Sequence, residues 1–250
     1  MAEFDNRGYA QAQSTAARTR AGEIDEGLRA YMLKVYNYMA LGIAFTAVVT
    51  MAVASNPQLM VTLAQGPMKW VLFIGILGLG FMAPRLIFSG NSAVAHLCYW
   101  GYAALWGVLM SPMIYYFFNT AGGGGLIVRA LLITSVTFGA TSLYGYVTKR
   151  NLSGFGTFFM MATIGLLVAI VVNAIVFQDI GFSLIISCLV VLVFAGITAY
   201  ETQMIKEMYV ATDGRTVGNQ KAIFGAFMLY GSFVTMFIHI LNILGIMSGD

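Results

Sequence analysis

The chain reads as an all-α membrane protein with seven transmembrane helices, and three observations carry that reading. Seven long apolar stretches fill the sequence from Val35 to Met247, and a single carboxylate, Glu201, sits well inside any of them. Hydrophobic residues make up 59% of the chain and charged residues 9%, with a mean hydropathy of +0.82. A soluble domain carries roughly 25% charged residues, so this chain has too little polar surface to stay dispersed in water. Crossing the hydrocarbon core takes about 20 apolar residues per helix, and each stretch is close to that length.

In chain order the spans are expected at 35–55, 69–88, 93–118, 126–147, 155–177, 182–205 and 222–247. They are helices because only helices or closed barrels satisfy the backbone in lipid, and the alternating ten-residue strands of a barrel are absent. Turn chemistry separates them: Asn56-Pro57, Gly66-Pro67, Gly90-Asn91, Gly122 to Gly125, and Lys149-Arg150-Asn151. The 28 glycines fit close approach of helix backbones, most densely at Gly75, Gly78 and Gly80 of the second span. Pro112 is expected to bend the third.

Residues 1–34 differ from the rest. They are rich in Ala, Gln, Thr, Arg and acidic residues, with no apolar core and no signal-peptide pattern. This segment is expected to be a cytoplasmic polar tail, disordered at its start, with an amphipathic lead-in from about Ile24. Residues 35–250 form one transmembrane domain. Cytoplasmic segments carry the excess of Lys and Arg. With the N-terminus inside, eleven of the thirteen basic residues fall on inside segments, leaving Lys69 and Arg129 outside. That balance expects a cytoplasmic N-terminus and an external C-terminus. Cys98 and Cys188 lie within spans and read as small apolar packing residues.

Chemistry concentrates near the end of the sixth span, in Thr198-Ala-Tyr-Glu-Thr-Gln-Met-Ile-Lys206. An ionisable group inside a span is costly and generally faces protein or water. Glu201 either reaches the headgroups or a nearby base, or serves a function. On the seventh span, Ser232, Thr235, His239 and Asn242 are three, four and three residues apart, hence on one helical face. Such a stripe points at other helices or at water. It supplies either interhelical hydrogen bonds or a polar path, and His239 is the member whose charge changes near neutral pH. Tyr144 and Tyr146, closing the fourth span, read as hydrogen-bond donors to Glu201 or as aromatic-belt residues. Arg85 is the cation best placed to approach Glu201, or else a positive-inside anchor.

Enzyme templates fail: no zincin helix, nucleophile elbow, phosphate loop or dinucleotide fingerprint is present. The spans hold no aspartate pair for intramembrane proteolysis, and two histidines on different spans make no histidine-rich metal site. The expectation is a non-enzyme without a cofactor or resident metal. A net charge of +3 with scattered basic residues gives no basis for nucleic-acid binding.

Several ordered motifs together resemble the Bax inhibitor-1 family from about residue 30 to the C-terminus. They are Ser142-Leu-Tyr-Gly-Tyr-Val-Thr-Lys-Arg-Asn-Leu-Ser153, Gly165-Leu-Leu with Val172-Asn173, the Thr198 to Lys206 stretch, and Leu229-Tyr230. The resemblance implies a last helix that is central within a bundle of six. It also implies a pH-sensitive calcium leak or other cation conduction in the bacterial inner membrane, with roles in stress and membrane-protein quality control. Lipid, calcium or protons, and a membrane protease or another membrane protein are the partners it implies. Relatives typically carry one aspartate in the sixth span and one in the seventh; here those positions are Glu201 and Ser232. Two close carboxyls share a proton, a coupling that Ser232 cannot provide, and a divalent-cation site is weakened by its loss. The resemblance further implies that Arg85 helps to hold this pair closed. Two functions are expected from this sequence: a leak pathway gated by protonation around Glu201, or a non-conducting modulator of a membrane protease or quality-control complex.

Overall fold

The computed structural model describes the backbone of residues 2–120 and 122–249, and their side chains apart from 2–25 and 64–65. Among these residues there are eight α-helices and no strands: α1 (Ala2–Ala54), α2 (Pro57–Gln65), α3 (Met68–Ile87), α4 (Ser92–Asn119), α5 (Gly123–Val147), α6 (Gly156–Val172), α7 (Ile180–Glu207) and α8 (Arg215–Ser248). Seven segments are long and apolar enough to cross a membrane, and all but the short α2 contribute one. The outer surface is correspondingly apolar: Phe81 is 86% exposed and Leu192 72%, a surface suited to lipid and untenable in water. The expectation of a loose tail rests mainly on residues 1–25, whose side chains lie outside those described.

The expected spans all appear, with two instructive differences at their ends. The Asn56-Pro57 break starts a short helix: the Asn56 side chain accepts from the backbone N–H groups of Gln58 and Leu59, and Pro57 opens α2. The last helix begins at Arg215, seven residues before its apolar run. Its polar first turns are held by tertiary contacts, with Gln220 and Ala222 buried and the Tyr38 hydroxyl donating to Asn219 at 3.4 Å. Pro112 lies inside α4 without ending it.

Helix α8 is the centre. In its most apolar window 67% of residues are buried, whereas no other span exceeds 39%. Helices α1, α3, α4, α5 and α7 pack directly on it, while α6 leans on α7 and buries no residue of its own. The α1–α4–α8 junction is tied by hydroxyls. Tyr230 and Thr46 share a 2.6 Å hydrogen bond, Thr46 donates to the Ala103 carbonyl at 3.0 Å, and Tyr99 donates to the Tyr38 carbonyl at 2.6 Å. Tyr99, Tyr102 and Tyr230 meet edge to face, an arrangement aromatic rings favour.

Close backbone approach occurs, but not where glycine density suggested. A Cβ at Gly75, Gly78 or Gly80 meets nothing within 4 Å. Helix α3 leans inward through Ile76, Ala83 and Ile87; Gly75 and Gly78 lie off that face, and Gly80, which shares it, still has open space where a Cβ would be. Two of the tight contacts between helices are at Gly145, where a Cβ would collide with the Ala199 backbone of α7, and at Gly107, where it would meet Val49 at 2.8 Å. Backbone atoms have no rotamer with which to yield. Gly145→Ala is therefore expected to cost about 1–3 kcal/mol by forcing α5 and α7 apart, whereas Gly78→Ala is neutral or stabilising. Thermal unfolding of the detergent-solubilised variants checks the contrast, which fails if both melt alike.

Candidate functional site on the α7–α8 seam

The polar residues near the end of α7 have separate employments. The Thr202 hydroxyl donates to the Thr198 carbonyl of its own helix at 2.7 Å. Its single hydrogen is then used, so Ser142 of α5 donates to Thr202 at 2.9 Å and Tyr36 of α1 to Ser142 at 2.6 Å. This directional chain joins three helices. Gln203 clamps the α5–α6 connection, accepting from Leu152 N at 2.7 Å and donating to the Arg150 carbonyl at 2.8 Å. Lys206 donates to the Tyr146 carbonyl at 2.9 Å, neutralising an orphan acceptor at the end of α5. Tyr144 is exposed, and Tyr200 packs at a tilt against Phe159.

Glu201 alone turns toward α8. Its Oε2 accepts a hydrogen bond from the Ser232 hydroxyl at 2.7 Å, and Ser232 is 2% exposed. From α4 the Tyr102 hydroxyl abuts Gly231, close enough to act electrostatically on the carboxylate. Tyr102 was not singled out from sequence, because a tyrosine among Ala, Leu and Trp reads as core. Arg85 does not join the group. It is exposed, and the one ion pair among the described residues joins Lys221 to Asp213 at 2.6 Å. The reason is helical geometry: Ala83 and Ile87, four apart, are both buried, and a residue midway between them faces the other way.

The rest of the stripe also faces α7. His239 Nδ1 and Ser187 Oγ are 3.0 Å apart. Asn242 donates to Ser183 at 3.1 Å and to Ser187 at 2.9 Å; Thr235 is half-buried between the two ends. Ser187 and Glu201 are fourteen residues apart on α7, about 21 Å along the axis. Between them α7 presents Val190 and Ile197, both buried, with Val191 and Phe194 packed on the core. The seam is thus two polar clusters separated by a mostly apolar layer, with Thr235 within it. Among the described residues no group of three or more His, Cys, Asp or Glu is placed to hold a metal ion.

Residues 28–249 match the family described as Inhibitor of apoptosis-promoting Bax1. The chain belongs to the Bax inhibitor-1 family. Among its relatives, the inner membrane protein YbhL of Escherichia coli K12 is 34% identical over 222 residues, covering 88% of this chain and 92% of that protein. An uncharacterized protein of Rickettsia prowazekii is 34% identical over 239 residues, covering 95% and 97%, and a membrane protein of Streptococcus pyogenes is 32% identical over 229 residues, covering 88% and 94%. Within the Bax inhibitor-1 fold of this chain, the two positions where the resemblance expects an acid pair do face each other, as Glu201 and Ser232.

Proposed function

We propose that this multi-pass membrane protein is a pH-sensitive cation leak of the bacterial inner membrane, with calcium as the conducted ion and Glu201 as the proton-responsive group. The observation that carries the reading is the carboxylate of Glu201 held by Ser232 against the central helix. An ionised Glu201 accepts the Ser232 proton and attracts a cation. Protonation removes the charge and makes the carboxyl a donor as well as an acceptor, so the α7–α8 contact and the local field change together. No step of this role forms or breaks a covalent bond. The distribution of Lys and Arg supports a cytoplasmic N-terminus and external C-terminus, which places Glu201 in the cytoplasmic half.

A second reading has its own observation. The mostly apolar layer at Val191 and Phe194 interrupts the seam, as suits a non-conducting modulator of a membrane protease or quality-control complex. Calcium flux into liposomes separates the two readings. The leak reading expects flux from wild-type protein that varies with pH, and the modulator reading expects none.

Orientation is checked by an alkaline phosphatase fused after Asp250, expected to be active; a silent phosphatase alongside a fluorescent cytoplasmic-type reporter would reverse the topology. For the carboxylate, Glu201→Gln imitates the protonated form at nearly constant volume. It is expected to remove most of the pH dependence of calcium flux while preserving yield and melting temperature. Flux that keeps its full pH dependence in this variant would move the proton-sensing role elsewhere.

A further inference from the structure

The second polar cluster forms one wall of a pocket of about 390 Å³ at the other end of the seam. The opposite wall is irregular in a way that its sequence does not require. Helix α6 gives way to a π-turn over Asn173–Phe177, and Gln178 follows in the left-handed region at φ 51°, the one non-glycine residue there among those described. A π-turn and a left-handed glutamine both cost energy and are concentrated at functional positions. Here they fold Asn173 under Asp179. Asn173 Nδ2 donates to the Asp179 carbonyl at 3.2 Å, and Asp179 N donates back to Asn173 Oδ1 at 3.2 Å. The Asp179 carboxylate then caps α7, its Oδ1 accepting from Phe182 N at 2.6 Å.

Hydrogen-bond accounting shows what the pocket offers. Both amide hydrogens of Asn242 are used on Ser183 and Ser187, which leaves its Oδ1 as an acceptor. Ser187 also accepts from Asn242 and shares a 3.0 Å hydrogen bond with His239 Nδ1, whose direction follows the ring's tautomer. Asp179 is the sole formal charge, since no Lys or Arg lines the pocket. The carbonyl end of α6 adds partial negative charge, while Asp179 already offsets the positive start of α7.

We propose that this pocket is a binding site for a hydrated divalent cation, separate from the Glu201–Ser232 pair. Its oxygens, from a carboxylate, an amide and hydroxyls, are the hard ligands such cations take. One carboxylate cannot complete a coordination shell, so water fills the remainder. At about 30 Å³ per water the pocket has room for a cation and six waters. Affinity is accordingly in the weak range of about 10⁻⁴–10⁻³ M seen where few charges contribute. Asp179 is exposed, which leaves the mouth open to solvent. The site stands whether or not the chain conducts.

Equilibrium binding of ⁴⁵Ca²⁺ to the purified full chain in detergent tests it. Wild-type protein is expected to bind calcium saturably in the submillimolar to millimolar range. Asp179→Asn removes the charge but keeps a side chain that caps helices equally well, so binding should weaken at least tenfold at unchanged melting temperature. Asn242→Asp, which sets a second carboxylate beside Ser183 and Ser187, should tighten binding about tenfold, a gain that no folding defect can imitate. Glu201→Gln should leave this binding in place. Absence of saturable binding in the wild type, indifference to both Asp179→Asn and Asn242→Asp, or loss of all binding in Glu201→Gln would each overturn the proposal.

Discussion

A helix that carries Ser232, Thr235, His239 and Asn242 along one face cannot turn that face to hydrocarbon, because no acceptor or donor waits there. This constraint organises the bundle. It commits α8 to a position with protein around it and selects α7 as the neighbour, since α7 supplies Ser183, Ser187 and Glu201 in antiparallel register. Once α8 and α7 are joined, the aromatic and small residues of α8 take the other helices: Tyr230 meets Thr46 of α1, and Phe233 meets Phe138 of α5. Helix α6 brings little polarity along its length and is left on the outside, against α7.

Two clusters on one seam divide the chemistry. The Glu201 end is enclosed by α4, α7 and α8, with Tyr102 beside it, and the proposed proton response belongs there. The His239–Asn242 end opens toward solvent through the pocket beneath Asp179. The layer between them, where Val191 and Phe194 of α7 pack on the core, is mostly apolar. A cation crossing along the seam therefore requires α7 and α8 to separate at that layer, and a charge change at Glu201, which bridges the same two helices, is suitably placed to drive it.

Much of this was legible in the sequence, and the remainder is absent from it for physical reasons. The spans follow from length and apolarity, which a bilayer enforces on each helix separately. The stripe on α8 follows from helical periodicity. Partner choice does not: nothing in a single helix says that Ser232 meets Glu201 whereas Arg85 faces away, because that depends on how α3 leans on α4. The same holds for glycine. The run at Gly75, Gly78 and Gly80 stands open, while isolated Gly145 carries the tight contact with Ala199, since closeness belongs to a pair of helices. Asn173 appeared only within a family-like motif; its role in bracing Asp179 depends on the π-turn, for which apolar periodicity gives no signal. The polar start of α8 was likewise hidden, because its burial is tertiary.

The polar face of α8 is held to α7 through Glu201 and Ser232. A double-mutant cycle addresses it most directly, comparing thermal stability of wild type, Ser232→Ala, Glu201→Met and the double variant in one detergent. Methionine keeps the length of glutamate and removes its oxygens. With Glu201 present, Ser232→Ala leaves a carboxylate without its donor and should cost about 1–3 kcal/mol; with Met at 201 the same change should cost almost nothing. Equal losses from Ser232→Ala in both backgrounds would mean that the two side chains share no bond across the seam.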